Sequence, residues 1–110
     1  MKASKQKTDV LRQVRGLASC IAKEIVPQRI ILFGSHARGT AGEHSDVDLL
    51  VIMRFEGTGF RKALEILNRL DLRMPIDLIA YRPEDADRRY AQGDPLVREA
   101  LDCGKTLYAE

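Results

Sequence analysis

Three aspartates have the residue type and the spacing that a metal site requires. Asp46 and Asp48 are two residues apart at the start of the apolar segment DVDLLVIM, so on a strand their side chains point to the same face. Two adjacent carboxylates repel each other, and a hard divalent cation such as Mg²⁺ or Mn²⁺ relieves that repulsion. Asp77 lies in a second apolar segment, MPIDLIAY. If the two strands are neighbours, the three carboxylates form a site that can hold two metal ions.

A glycine turn suited to phosphate binding precedes these carboxylates. Gly34-Ser35 follows the apolar run IILF and precedes HARG, an order that predicts a strand passing into a short helical turn. Backbone N–H groups at such a start point outward and attract phosphate. Glycine lets the phosphate approach closely, and the Ser35 hydroxyl adds a donor. Arg38 has two interpretations: it neutralises charge on a triphosphate, or it braces the loop by pairing with an acidic residue.

Each of these features has a plainer interpretation when it is taken alone. A Gly-Ser pair after a strand is more often a turn, and two close aspartates are more often a solvated strand end. Asp77 alone would fit an edge strand that faces solvent, and Arg38 alone is more often structural. Together they fall at strand ends, where open α/β sheets bind ligands. The combination therefore favours a site for a nucleoside triphosphate with a divalent metal.

Hydrophobic periodicity predicts the helices that flank this site. The first helix would begin at a cap formed by Thr8 or Asp9 and end before Pro27. Its apolar face is formed by Val10, Val14, Leu17, Ile21 and Ile25. The second helix covers FRKALEILNRLDL, with an apolar face of Phe60, Ala63, Leu64, Leu67 and Leu70. PEDADRRYAQ and DPLVREALDC predict two more helices, each with a proline near its first turn, and Gly104 would cap the last.

Short apolar segments predict the strands between these helices. RIILF, DVDLLVIM and MPIDLIAY are apolar and rich in branched side chains, which is typical of buried strands, and KTLYA predicts a last short strand. The alternation of helices and strands predicts an α/β (α+β) fold in which helices cover a sheet. A single domain over residues 1–110 is expected.

Length and composition limit the classes of function. The chain has 110 residues, 45% of them hydrophobic, and a net charge of +2, which is too small to indicate direct nucleic-acid binding. Apolar runs are too short for a membrane helix, and the N-terminus lacks the apolar core of a signal peptide. Cys20 and Cys103 are expected to be reduced thiols, and neither His36 nor His44 has a zinc-like spacing. These features predict a cytoplasmic protein.

The quoted motifs resemble the DNA polymerase beta-like nucleotidyltransferase superfamily. Its motif is Gly-Ser after a strand, ten intervening residues, and Asp-x-Asp, which here is Gly34-Ser35 followed by Asp46 and Asp48. The chain is more closely similar to the minimal nucleotidyltransferase (MNT) antitoxin group, through GSHARG, SDVDLLV, MPID and GKTLY. The resemblance extends from about Arg29 to the C-terminus, and the first helix fits only in position.

The resemblance implies a fold, a reaction and a role for each motif residue. The fold would be a mixed, partly antiparallel sheet flanked by helices. Gly34 and Ser35 would hold the β- and γ-phosphates, Asp46 and Asp48 would be metal ligands, and Asp77 would be the third carboxylate, as a ligand or a base. An acceptor hydroxyl would attack the α-phosphate of ATP, and pyrophosphate would leave. His36 falls at a variable position and is expected to be an ordinary loop residue.

The resemblance also implies a partner, because a chain of this size has no second domain to hold an acceptor. In the MNT group the partner is a HEPN-domain ribonuclease toxin, which the antitoxin blocks by binding or by transferring AMP. Three hypotheses follow: an adenylyltransferase antitoxin, a catalytically slow antitoxin that acts by binding alone, and a stand-alone nucleotidyltransferase for a small molecule or RNA. The intact aspartate set favours the first. A group of arginines would either line a partner surface or form a solvated helix face: Arg82, Arg88, Arg89 and Arg98.

Overall fold

A four-stranded mixed sheet lies at the centre of the fold, with helices on both faces. The computed structural model describes residues 2–42, 45–70 and 74–110. In chain order the elements are α1 (Lys2–Ile25), β1 (Arg29–Phe33), α2 (Ser35–Arg38), β2 (Val47–Ile52), α3 (Gly59–Asn68), β3 (Ile76–Tyr81), α4 (Pro83–Ala91), α5 (Pro95–Cys103) and β4 (Lys105–Ala109). The predicted α/β class, with helices covering a sheet, is confirmed.

The strand order is β3-β2-β1-β4, and the sheet combines both strand orientations. β1 is antiparallel to both β2 and β4, whereas β2 and β3 are parallel. A parallel pair needs a crossover connection, and α3 supplies it between β2 and β3. The partly antiparallel sheet that the family resemblance implies is therefore what the chain forms.

Alternating side chains of the central strands build two separate cores. One face packs against α1 and α3, and its buried strand residues are Ile30, Leu32, Val47, Leu49, Val51, Leu78 and Ala80. The other face packs against α4 and α5, and its buried strand residues are Ile31, Phe33, Leu50 and Ile52. Because both faces of β1 and β2 are buried, these strands are continuously apolar, which is the signal that identified them.

The first helix is longer than its predicted form. α1 begins at Lys2, so the expected cap at Thr8 or Asp9 is wrong. The preceding lysines, alanine and glutamine favour helix and include neither glycine nor proline, so the helix extends back through them. The predicted apolar face is confirmed, since Val14 and Ile21 are fully buried in the first core. The helix ends at Ile25, close to the predicted stop.

The buried face of α3 is rotated from the predicted one. Ala63 and Ile66 are buried, while Phe60 is 75% exposed and Leu64 is 44% exposed. The predicted apolar stripe is therefore wrong at those two positions, because the helix crosses the edge of the sheet and only one of its sides reaches the core. The helix ends at Asn68, and the last two residues of its predicted span lie outside the described residues.

Two further expectations concern the chain's environment. No helix in the described parts of the chain is long and apolar enough to cross a membrane. Cys20 and Cys103 are both free and exposed, and their expected state as reduced thiols stays a prediction.

Substitution at Gly104 is expected to destabilise the fold. A Cβ added there would overlap the carbonyl oxygen of Ala100 in α5, and it would lie 2.6 Å from Ile31 Cγ2 and 2.9 Å from the carbonyl oxygen of Leu32. The end of α5 and its close packing on β1 would therefore both have to shift. Gly104→Ala is expected to lower the free energy of unfolding by about 1–3 kcal/mol. Gly16→Ala is the matched control, since Gly16 is an exposed helical residue with open space at Cβ, and it should raise stability by about 0.5–1 kcal/mol. Urea unfolding measures both changes, and equal effects would contradict the packing argument.

Candidate active site

The parallel pairing of β2 and β3 brings two of the predicted aspartates together. Asp48 and Asp77 are direct register partners, so their side chains lie on the same face of the sheet. Leu49 and Leu78 are the next register pair and are buried on the opposite face. The two carboxylates therefore stand side by side on the face covered by α4 and α5, as the sequence predicted if the strands were neighbours.

The electrostatics of Asp48 show that several charged groups surround it. Partial burial raises the pKa of Asp48 above its ordinary value, and the negative charges of Asp77, Asp46 and Glu99 raise it further. His36 acts in the opposite direction and lowers the pKa. Asp46 is exposed and lies immediately before β2. All three predicted aspartates thus belong to one interacting group centred on Asp48.

The glycine turn packs directly against Asp48. Gly34 has φ 76° and ψ −156°, a conformation that glycine adopts without steric cost. A Cβ at this position would overlap Asp48 Oδ2 and lie 3.1 Å from Asp48 Cγ. The N–H groups of Ala37 and Arg38 donate to the Gly34 carbonyl at 3.1 Å each, which closes the short helix α2. Glycine is therefore needed here both for its backbone conformation and for the close approach of the carboxylate.

Glu99 of α5 contacts the glycine turn, and no local sequence pattern predicts this contact. Its Oε2 accepts a hydrogen bond from the Gly34 N–H at 3.0 Å and another from Arg38 Nη1 at 2.7 Å. Of the two interpretations of Arg38, this geometry matches the bracing one, in which it pairs with an acidic residue. Its predicted contact with a nucleotide stays a prediction.

A contact between His36 and Ser45 joins α2 to the residue that precedes Asp46. His36 Nε2 lies 3.1 Å from the carbonyl oxygen of Ser45, and Ser45 Oγ accepts a hydrogen bond from the Gly42 N–H at 2.8 Å. Ser45 directly precedes Asp46, so this contact affects the position of the first aspartate. The expectation that His36 is an ordinary loop residue is wrong, because His36 lies in α2 and contacts the Ser45 carbonyl. His44, for which no zinc role was expected, lies outside the described residues.

The donor set is suited to a hard divalent cation. Asp48 and Asp77 present carboxylate oxygens to one side of the sheet, and oxygen ligands are those that Mg²⁺ prefers. Within residues 2–42, 45–70 and 74–110, however, no three Asp, Glu, His or Cys side chains converge closely enough to ligate one ion as they stand. The chemistry of the residues fits the predicted metal, and their like charges oppose closer approach.

A groove runs along the outer edge of β3 and reaches Asp77. Its volume is about 610 Å³, and α3 and α4 form its walls. The exposed Phe60 and Leu64 line one wall, and Arg88 lies on the other. In the described part of the chain no further strand pairs with this edge of the sheet. The groove therefore gives a second molecule access to Asp77 from the open edge.

The arginines proposed for a partner surface make contacts within the chain. The guanidinium of Arg82 lies over the Phe55 ring at 4.5 Å and donates to the Phe55 carbonyl. Arg89 and Arg98 lie over the rings of Tyr81 and Tyr90 in the same way. Contacts of this kind stabilise the attachment of α4 and α5. These arginines are thus structural contributors as well as surface charges.

Comparison with protein families places this geometry in a known group. Residues 14–106 match the model of the nucleotidyltransferase domain. The chain belongs to the nucleotidyltransferase domain family. The match includes the glycine turn, both aspartate-bearing strands and α5, and it confirms the superfamily and the enzyme class that the motifs predicted.

Two proteins of Methanocaldococcus jannaschii are similar to this nucleotidyltransferase in sequence. One, provisionally named protein adenylyltransferase MJ0141, is 34% identical over 70 residues, which are 62% of this chain and 70% of that protein. The other, provisionally named protein adenylyltransferase MJ1305, is 80% identical over 25 residues, which are 23% of this chain. That short match spans only 17% of the second relative.

Solved structures share the fold of this nucleotidyltransferase. A provisionally named nucleotidyltransferase from Sulfolobus solfataricus has a TM-score of 0.63 at 23% identity, with 80% of each chain covered. A toxin-antitoxin structure with AMP-PNP has a TM-score of 0.58 at 21% identity, with 87% of this chain and 73% of that chain covered. At these identities the likeness supports the fold alone, and it confirms the helix-flanked mixed sheet.

The structure thus brings the core of the predicted nucleotidyltransferase site together. Gly34, Asp48 and Asp77 lie close to one another, with Asp46 beside them and Ser35 at the start of α2. Their roles toward nucleotide and metal stay predictions. The sequence missed Glu99 and Ser45, because neither stands in a motif and each makes its contact through the folded backbone.

Removing the charge of Asp48 is expected to stabilise the protein at neutral pH. Since the folded state raises the pKa of Asp48 above 3.8, the folded state binds protons more tightly than the unfolded state. Stability therefore falls as pH rises from that value through the raised pKa. Asp48→Asn should unfold at higher urea concentration than the wild type at pH 7, and the difference should shrink toward pH 4. A variant less stable than the wild type at pH 7 would contradict the electrostatic account.

Proposed function

We propose that this nucleotidyltransferase transfers AMP from ATP to a hydroxyl group of a HEPN-type toxin protein, and so acts as an antitoxin. The observation that carries the proposal is the in-register pairing of Asp48 with Asp77 beside the Gly34 turn. A glycine turn suits the phosphates of a nucleotide, and paired carboxylates suit the cation that accompanies them. Use of ATP as donor also favours a cytoplasmic location.

The cation would be bound by the aspartates of the site. Asp46, Asp48 and Asp77 would hold Mg²⁺ or Mn²⁺, which neutralises triphosphate charge and activates the acceptor oxygen. Asp48 is held in place by the Gly34 contact, whereas Asp46 is exposed and precedes the strand. Asp46 is therefore the ligand with the greatest freedom to adjust to a bound ion.

The chain's own residues would orient the donor. The turn at Gly34 faces the aspartates, and the Ser35 hydroxyl and backbone N–H would donate to the β- and γ-phosphates. The α-phosphate would then lie toward Asp77, which lines the groove along β3. Correct placement of the reacting atoms supplies much of the rate in phosphoryl transfer.

The transfer step forms one bond and breaks another. The acceptor oxygen bonds to the α-phosphorus, while the bond from that phosphorus to the bridging oxygen of the β-phosphate breaks. Pyrophosphate leaves with the bonding electrons, and the hydroxyl proton passes to Asp77. Asp77 is exposed, so a hydroxyl on another protein can reach it.

The acceptor class is supported by relatives and by the open geometry of the site. Both archaeal relatives carry a provisional adenylyltransferase name, and one structure of similar fold is a toxin-antitoxin with AMP-PNP. The groove that leads to Asp77 opens along an unpaired strand edge in the described residues. A protein partner can supply the second wall that an acceptor needs.

The second candidate function is that of a catalytically slow antitoxin that acts by binding alone. The observation in its favour is that the acidic side chains of the described residues do not converge as a complete metal site. In that case the protein would neutralise the same toxin by occupying its surface. A stand-alone transferase acting on RNA is less favoured, because the net charge is only +2.

Co-expression of this chain with a HEPN-type toxin protein tests the proposal. With labelled ATP and Mg²⁺, the wild type should add AMP mass to the toxin. Loss of an outer partner of a metal ligand commonly costs 10–100-fold, so loss of the ligand itself in Asp46→Asn should reduce labelling by about a hundredfold or more. Asp87→Asn makes the same chemical change on an exposed residue of α4 and should label the toxin normally.

Growth rescue separates the two candidates. If Asp46→Asn neutralises the toxin as well as the wild type does, and neither protein labels it, the binding-only antitoxin is correct and the transferase is not. If only labelling-competent variants rescue growth, transfer of AMP is the antitoxin activity.

A further inference from the structure

A carboxylate outside the aspartate group contacts both ends of the glycine turn. Glu99 Oε2 accepts from the N–H of Gly34, which precedes α2, and from the guanidinium of Arg38, which is the last residue of α2. The two distances are 3.0 Å and 2.7 Å. One oxygen atom therefore holds the first and last residues of a five-residue segment, which we call the Gly34–Arg38 turn.

The packing of α5 fixes where Glu99 can reach. Val97 and Ala100 are buried on the inner face of α5, and Gly104 lies so close to β1 that an added Cβ would meet Ile31 at 2.6 Å. The start of α5 is also fixed, because Asp94 accepts hydrogen bonds from two backbone N–H groups of its first turn. Glu99 thus extends from a well-anchored helix.

The ion pair between Arg38 and Glu99 determines the geometry of the turn more than it stabilises the fold. The side chains of Arg38 and Glu99 are 52% and 39% exposed, and exposed ion pairs contribute only about 0–1 kcal/mol to folding. The Gly34 backbone, however, also touches Asp48, whose carboxylate would overlap a Cβ at that position. Any shift of the turn therefore changes the distance between Ser35 and Asp48.

We propose that Glu99 is a positioning residue of the nucleotide site, which holds the Gly34–Arg38 turn so that Ser35 and Asp48 face the same triphosphate. This inference rests on the proposed function. Arg38 acts in it through Glu99, as the second anchor of the turn. The Ser35 and His36 amides do not take part in the contact with Glu99, so they remain available to the ligand.

Two Glu99 variants and one matched control test this role in the full-length chain. Glu99→Ala removes both contacts, whereas Glu99→Gln keeps an oxygen that can accept from Gly34 but loses the charge that pairs with Arg38. Asp102→Asn is the control, because Asp102 lies on the same helix and accepts from the Tyr90 hydroxyl at 2.7 Å, away from the turn. Thermal unfolding shows whether each variant folds. If Glu99→Ala does not fold, the test of the positioning role rests on Glu99→Gln.

The first measurement is the amide signal of Gly34 in a ¹H–¹⁵N NMR spectrum without nucleotide. It should move in both Glu99 variants and stay in place in Asp102→Asn.

The second measurement is the Kd of ATP in MgCl₂, measured by calorimetry. Glu99→Ala should raise it about tenfold, as expected for loss of a charged hydrogen-bonding partner, and Glu99→Gln should raise it less. The double variant with Arg38→Ala and Glu99→Ala should have a Kd within about twofold of that of Glu99→Ala alone, because the effects of two coupled residues do not add.

The outcomes separate this inference from the function on which it rests. If the wild type binds ATP, an unchanged Kd in Glu99→Ala would show that Glu99 does not affect nucleotide binding, and a lower Kd would show that it competes with the triphosphate. Either result would overturn the positioning role. A Gly34 signal that Glu99→Gln does not move would overturn it as well. A wild type that binds no ATP with Mg²⁺ would overturn the proposed function, and with it any role of Glu99 toward nucleotide.

Discussion

Repulsion between carboxylates is the interaction around which this site is arranged. The register of β2 and β3 places Asp48 directly beside Asp77, and both Asp46 and Glu99 add negative charge near them. Partial burial is the largest cause that raises the pKa of Asp48, and the negative charges of Asp77, Asp46 and Glu99 raise it further. Like charges held this close destabilise the folded state, so stability alone does not explain these positions. Such strain is typical of functional sites, where stability is given up for activity.

The surrounding elements keep these carboxylates in place, and His36 partly offsets their charge. α3 provides the crossover that makes the parallel register possible. Gly34 allows the turn to approach Asp48 closely, and Glu99 ties the turn to α5. His36 adds a partner that lowers the pKa of Asp48 and contacts the segment before Asp46. The site is therefore formed by four elements that are far apart in the sequence, namely α2 with its turn, β2, β3 and α5.

The sequence was sufficient for the parts of the site that depend on residue type and local periodicity. The strands that carry Asp48 and Asp77 consist mostly of apolar, branched residues, so they were recognisable, and glycine before a short helix indicated the turn. The family resemblance supplied the mixed sheet. The face of α3 was misplaced at Phe60 and Leu64, because only tertiary packing determines which side of an amphipathic helix reaches the core. The start of α1 was missed because helix-favouring lysines can extend a helix beyond a capping residue.

The contacts of Glu99 could not be predicted from the sequence, for a different reason. Its partners Gly34 and Arg38 are 65 and 61 residues away, and the contact depends on how closely α5 packs on β1. Local patterns carry no information about such distances. The arginines of α4 and α5 show the same limit, since stacking of Arg82 on Phe55 and of Arg89 on Tyr81 depends on the folded arrangement.

We propose that the paired carboxylates and the glycine turn together bind a metal-bound triphosphate. Calorimetric titration of the full chain with ATP, in MgCl₂ and again in EDTA, tests it most directly. The carboxylates should repel a bare triphosphate, so saturable binding is expected with Mg²⁺ and none in EDTA, and Mn²⁺ should replace Mg²⁺. Equal binding of ATP in MgCl₂ and in EDTA would contradict the account.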